Sequence, residues 1–435
     1  MNPSPDLDRS LPVLVAKVGR YPLNHGGLGV IRTLGRLGVP VDAIAEDRFT
    51  PAAVSRYLRR SFVWPTTGGE DAGELVEGLL SIGRRLPRPA LVVPTDDEAA
   101  VLVAEHAGEL AECFVLPQVP AALPAALADK HRLHQLCRTH GVPSPATALP
   151  SSVDELLTGA AAIGYPVVLK NAAPWDRLRR PAVGSTTVVH DEGALRALSA
   201  SWQEMPSVLL QQYLPAEGAQ DWIVGVYCNA AADTLVGFTG LKVRSWPPGA
   251  GVTTRAYAAA NAHLVEVTSR FCKEIGYRGI ADLDWRVDPA TGEYKLLDFN
   301  PRVGAVFRLF ETDAGVDVVR ALHLDLSGRP VPAGRQRYDR GLRVENLDLP
   351  AVVAYGPAGW GRPPGLVRGT TERAWMAIDD VVPAAVAAIR SGGPAAARLA
   401  GALAGRSNRT GPRPGGRGPS GPRPPEVVRS SSGPC

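Results

Sequence analysis

The chain has 435 residues, 45% of them apolar and 21% charged; that is too long for one core and too apolar for disorder, so two or three packed domains are expected. The formal charge of +4 does not point to nucleic acid. From Ala400 onward six Arg stand against the single acid Glu426, a sum of +5 that leaves the first 399 residues at −1, so the body has no basic stripe of the kind a phosphate backbone requires.

Residues 1–10 (MNPSPDLDRS) are polar and acidic and read as a disordered terminus with no targeting signal. The apolar run from Leu11 is broken by Pro12 and Lys17, and the stretch Val381 to Leu403 by Pro383, Gly392, Pro394 and two Arg, so no membrane span is expected. The five cysteines (113, 137, 228, 272 and 435) are scattered and odd in number; they read as buried small residues of a cytoplasmic protein.

Residues 11–120 alternate strand and helix: LPVLVAKVG, the helix GLGVIRTLGRLG, the strand VPVDAIAE, then ALVVPT before the helix DDEAAVLVAEHAGELAE. This pattern predicts an α/β domain with a largely parallel sheet. NHGGLG at residues 24–29 follows the first strand and opens a helix. It is open to three readings: a phosphate cradle, a tight turn without ligand, or part of a second-substrate site with His25 as a binding or base residue. Thr95 and Asp96 are expected at the same carboxyl edge of the sheet.

Residues 121–333 mix strands and helices as an α+β nucleotide-binding region does. A helix carrying Asp129 and Lys130 leads to GVPSPAT, a further helix and the strand YPVVLK; an Arg-rich loop precedes STTVVH, and VLLQQYLP closes a small lid over about 145–213. Short strands joined by hairpins follow, to Leu297. Residues 334–404 read as an extension packed on this region, ending in a helix near Val381 to Ile389, and residues 405–435 as a disordered Arg/Gly/Pro/Ser tail.

In GIADLDWRVDPATGEYKLLDFNPR strict alternation sets Ile280, Asp282, Asp284 and Arg286 on one strand face, and Tyr294, Leu296, Asp298 and Asn300 on one face of the next. A turn centred near Thr291 pairs Asp284 with Asp298 and Asp282 with Asn300. Opposed carboxylates roughly 5 Å apart repel by on the order of 3 kcal/mol at an effective dielectric of about 20. A hard divalent cation reverses that sign, and an all-oxygen set suits Mg²⁺.

Only six of the 47 basic residues are Lys, so each is informative. Lys170 ends an apolar strand, and Lys242 with Arg244 lies at i, i+2 on FTGLKVR; ammonium groups aimed at one cleft suit phosphates. Trp246-Pro247-Pro248 reads as a stiff wall for one substrate.

Taken in order, GLGVIRTLGRLGVPV, LVVPTDDEAA, Asp129-Lys130 before GVPSPAT, GYPVVLK, LLQQYLP, FTGLKVRSWPPGAG, GIADLDWRVD and LLDFNPRVG resemble an ATP-grasp enzyme, and within that superfamily the D-aspartate-ligase-like carboxylate–amine ligases. The resemblance covers roughly Leu11 to Ile389. It implies an α/β plus α+β architecture: a Rossmann-like pre-ATP-grasp domain, a small lid and a C-terminal metal-bearing part. It further implies ATP and Mg²⁺ as cofactors, with Mn²⁺ as an alternative, and small-molecule or peptide carboxylate and amine substrates, without nucleic acid or membrane and compatible with a homodimer.

By the same resemblance Lys130 and Lys170 would contact ATP phosphates, Gln211, Gln212, Tyr213 and Leu214 would form the adenine hinge, and Asp221 or Glu217 would hold the ribose hydroxyls. Asp284, Asp298 and Asn300 would bind Mg²⁺, while Arg302 with Lys242 or Arg244 would steady the transferring phosphoryl group. Two departures stand out: Asp298 replaces a usual Glu, which shortens the ligand by one methylene, and the loop after Lys170 is Arg-rich where a Gly-rich phosphate cover is usual. The implied reaction is amide or peptide bond formation through an acyl phosphate. The alternatives are another acceptor for that acyl phosphate, as in thioester formation or carboxylation, and a nucleotide-binding regulator.

Overall fold

The structure is a computed structural model that describes residues 4–172, 182–184, 186–215, 218–249, 251–359, 369–392 and 426–428. The first domain holds β1 (Val13–Ala16), α1 (His25–Gly35), β2 (Val41–Ala45), β3 (Leu58–Val63), α2 (Ala72–Gly83), β4 (Ala90–Pro94), α3 (Asp97–Glu105), α4 (Ala107–Leu110) and β5 (Phe114–Val115). Its sheet runs β3-β2-β1-β4-β5, parallel throughout. Alternation along β1 explains why both faces are covered: Val13 and Val15 enter one apolar core, Leu14 and Ala16 another. The helix expected over 96–112 is two helices, broken at His106.

Helices α5 (Leu123–Ala128) and α6 (Lys130–Thr139) lead to the small sheet expected from the sequence to be a lid, made of β6 (Thr147–Ala148), α7 (Val153–Ile163), β7 (Val167–Asn171), β8 (Thr186–Val189), α8 (Glu192–Ser199) and β9 (Val208–Gln212). The body follows, with β10 (Asp221–Cys228), β11 (Thr234–Trp246), β12 (Val252–Ala258), α9 (Ala262–Glu274), β13 (Gly279–Val287), β14 (Tyr294–Asn300), α10 (Val318–Leu326), β15 (Arg340–Arg343), α11 (Glu345–Tyr355), β16 (Thr370–Arg373) and α12, a helix over 382–392. Seven strands form the body sheet in the order β14-β13-β10-β11-β12-β15-β16, antiparallel except for the last pair.

One core joins the first domain to the body, since Val13, Leu28 and Ile31 share a cluster with Ile223, Phe307, Phe310 and Trp375. The terminus expected to be disordered over 1–10 is ordered from residue 4. Leu7 is in that core, and the carbonyl of Asp6 accepts from Arg329 at 2.8 Å. The extension packs on the first domain as well as on the body, through Arg32 with Asp380 and Arg36 with Asp379. Within the 405–435 tail, β17 (Glu426–Val428) pairs antiparallel with β8 at the edge of the lid sheet. No helix among the described residues is long and apolar enough to cross a membrane.

Candidate functional site

Strand parity builds the lid wall of the cleft. Val167 and Leu169 of β7 enter the lid core with Leu156, Leu195 and Leu210, which turns Val168 and Lys170 to the opposite face. Lys170 is half-buried and makes no hydrogen bond or ion pair among the described residues. Burial pushes its ammonium well below the usual lysine range, with repulsion from Lys130 and Arg286 in the same direction and Asp284 opposing.

The floor is the β13–β14 hairpin, where the register pairs Asp282 with Asn300 and Asp284 with Asp298, as the turn chemistry predicts. Beyond Asp284 it shifts, so Trp285 pairs with Leu296 and Leu297 is an extra bulged residue. The bulge corrects one expectation: Leu296 does not share a face with Asp298 but enters the core with Phe299, Leu283 and Trp285.

Around the acids the charges are close. Lys130, in the first turn of α6, is ion-paired with Asp298. Asp284 makes no hydrogen bond or ion pair among the described residues and lies directly across the ladder from Asp298. The Asn300 amide donates to the Asp282 carbonyl at 3.0 Å, and its oxygen accepts from Arg302 at 3.1 Å. Arg302 reaches the first domain through Asp97 at 3.0 Å. Burial opposes the Arg302 charge, but Asp97, Asp282 and Asp96 outweigh it and hold the guanidinium above its ordinary range.

The Asp282 carboxyl is pushed up to about 7 by burial and by Asp284, against the pull of Arg302 and Lys242. Gly304 is required beside it, because a Cβ there would lie 2.2 Å from the Asp282 carboxyl carbon. The loop after Arg302 therefore folds directly onto the hairpin and meets α1, where a Cβ at Gly26 would lie 3.1 Å from Ala305.

The donor set fits Mg²⁺. Among the described residues no group of three or more His, Cys, Asp or Glu could hold a metal, but two opposed carboxylates and an amide oxygen match a cation that keeps several of its waters. Asp284 is open toward the cleft, and Asp298 is neutralised by a lysine that a cation could replace.

The other expected residues divide. Lys242 is close enough to Asp282 to lower its pKa. Arg244 is not in the cleft set: register shifts flank it in β11, and its guanidinium makes a buried pair with Asp348 at 2.9 and 3.0 Å. Gln211 shares the Lys170 face of the lid sheet, whereas Gln212 lines a cavity of about 530 Å³ on the helix side and accepts from Lys295 at 3.0 Å. Tyr213 and Leu214 lie in the segment joining β9 to β10, with Leu214 buried.

Both carboxylate oxygens of Asp221 accept from Arg286, at 2.6 and 2.9 Å. Glu217 lies outside the described residues, as does the loop 175–180. His25 is buried edge-on to Trp375 at 5.8 Å, and its Nδ1 has no hydrogen-bond partner among the described residues. Arg286 was not singled out from the sequence. Its parity with Asp282 and Asp284 placed it on the right face, but its partner is 65 residues upstream.

No protein-family profile matches the chain. It is 22% identical over 294 residues to a D-aspartate ligase of Enterococcus faecium, covering 64% of this chain and 68% of that protein. Its fold matches the biotin carboxylase domain of the Hydrogenobacter thermophilus 2-oxoglutarate carboxylase, solved as a dimer with MgADP and bicarbonate, at TM-score 0.55 and 18% identity over 76% of this chain and 73% of that one. It also matches an L-amino acid ligase from Bacillus licheniformis, at TM-score 0.52 and 16% identity over 72% and 73% of the two chains. The chain is thus similar in fold to ATP-grasp enzymes and similar in sequence to carbon–nitrogen ligases.

Proposed function

We propose that this chain is an ATP- and Mg²⁺-dependent carboxylate–amine ligase, which forms an amide or peptide bond on an amino-acid or peptide-like substrate and releases ADP and phosphate. The observation that carries the reading is the opposition of Asp284 and Asp298 beneath the open Lys170. Asp298 is paired with Lys130 and Asp284 with no cation among the described residues, so a divalent ion taken by the two acids releases Lys130, beside Lys170, for an anion.

A carboxylate resists an amine because it is anionic and its leaving group is oxide. Its oxygen therefore attacks the γ-phosphorus of ATP, ADP departs, and the amine then attacks the acyl carbon, loses a proton and expels phosphate. Bound Mg²⁺ supplies charge neutralisation at the phosphates. The protein's own residues do the rest. Asp284, Asp298 and Asn300 hold the cation, and Lys170 and Lys130 take phosphate oxygens, Lys130 on leaving Asp298. Arg302, held by Asp97 and Asn300, and Lys242 face the transferring group.

The test is turnover by the purified protein with ATP, Mg²⁺ and a panel of acids and amines, read by mass spectrometry and ADP release. ADP formation is expected only with both an acid and an amine present, and Lys170→Ala or Asp298→Asn should lower it at least about 100-fold. ATP binding without turnover across a broad amino-acid and peptide panel would sink the reading.

A further inference from the structure

We propose that Arg286 is a positioning residue for the nucleotide: one guanidinium ties the lid hinge, Asp221 and the 246–249 turn to the strand that carries Asp284. The inference deepens the proposed function and rests on it.

Arg286 donates Nε and Nη2 to the two oxygens of Asp221 at 2.6 and 2.9 Å, Nη1 to the Leu214 carbonyl at 2.9 Å and Nη2 to the Gly249 carbonyl at 2.8 Å. These bonds occupy four of the five N–H groups of a planar fork. Each partner lies in a different segment. Leu214 follows the last lid strand, Asp221 begins the body sheet, and Gly249 lies in the β11–β12 turn after Trp246-Pro247-Pro248. The turn is pinned a second time, where the Gly249 N–H donates to the Tyr355 hydroxyl at 3.3 Å.

The consequence concerns binding more than chemistry. Arg286 is two residues from Asp284 on the same strand face, so the segment that joins the small sheet to the body is fixed to the strand that carries Asp284. The same fork aims the Asp221 carboxylate, leaving only its remaining lone pairs for a ribose hydroxyl. A lysine cannot reproduce this, because a point-charge ammonium lacks the parallel donors that hold both oxygens.

The test measures Mg-ATP affinity by calorimetry alongside steady-state kinetics in full-length variants. Arg286→Met should raise the Kd and KM for ATP at least tenfold, with kcat at saturating ATP and the KM of the carboxylate substrate within about threefold of wild type. Arg286→Lys should recover part of the loss. Asp221→Asn should give a loss like that of Arg286→Met, and the double variant should be no worse than the weaker-binding single, because the two residues act as a unit.

Wild-type ATP affinity in Arg286→Met overturns the inference, as does an equal loss in every kinetic constant or an additive double variant. If Arg286→Met fails to fold, Arg286→Lys decides alone: a selective rise in the KM for ATP supports the role, and unchanged constants overturn it. Wild-type protein that does not bind ATP overturns the proposed function itself, and this inference with it.

Discussion

Two charged regions of the molecule are built to opposite rules. In the joint between α1 and the extension Arg32, fully buried, donates to Asp380 at 2.9 Å and to the carbonyls of Trp375 and Asp380 at 2.9 and 2.8 Å. Asp380 in turn accepts from Ser55 at 2.7 Å and from the Arg56 N–H at 2.9 Å. In the cleft, Lys170, Lys242 and Asp284 make no hydrogen bond or ion pair among the described residues. A structural charge is tolerable in the interior only with its partners supplied by the fold. Charges left open are those waiting for something the chain does not itself contain.

The contrast is broken most severely at the saturated joint. Asp380→Ala strands a buried guanidinium, and the expected cost is about 3–5 kcal/mol, read as a lowered urea midpoint with an unchanged slope. A loss under about 1 kcal/mol would show that the joint tolerates an open charge as the cleft does.

A second, smaller test uses pH at the same joint. Burial, helped by Arg308, pushes His25 down to about 3, so between that value and the ordinary 6.5 the unfolded chain binds a proton that the folded chain refuses. Stability from this group is full above pH 6.5 and lost as pH falls below it, by about 2 kcal/mol at pH 5. Thermal melts should therefore show a shallower fall between pH 6.5 and pH 5 in His25→Gln than in the parent.

The smallest effect sharpens the comparison from the cleft side. Lys170→Met removes an ammonium that makes no ion pair among the described residues, and should raise the unfolding free energy by about 1 kcal/mol while ADP release collapses. A destabilised Lys170→Met protein would place Lys170 with the structural charges.

The cleft was legible in the sequence where local rules decide. Alternation and a DPATGE turn brought Asp284 opposite Asp298, and the same period put Lys170 on the face away from Leu169. Legibility failed at irregularities and at distance. The bulge at Leu297 flips Leu296 into the core, and the register shifts flanking Arg244 accompany its pairing with Asp348. Neither bulge has a strong sequence signal, since each depends on what the strand must pack against. Gln212 was expected at the hinge as one of four consecutive residues, yet successive strand residues face opposite sides, and only Gln211 shares the Lys170 face.

By itself the sequence determined the parallel first sheet and the pairing of the two acids across one hairpin. Each follows from a period or a turn spanning a few residues, where the chain's own geometry leaves one choice. Tertiary structure alone decided that Lys130 rests on Asp298 across 168 residues, that Arg286 grips Asp221 across 65, and that Arg32 closes on Asp380 across 348. Those partners meet because sheets and cores bring distant segments together, and no local pattern encodes which of many acids each cation will meet.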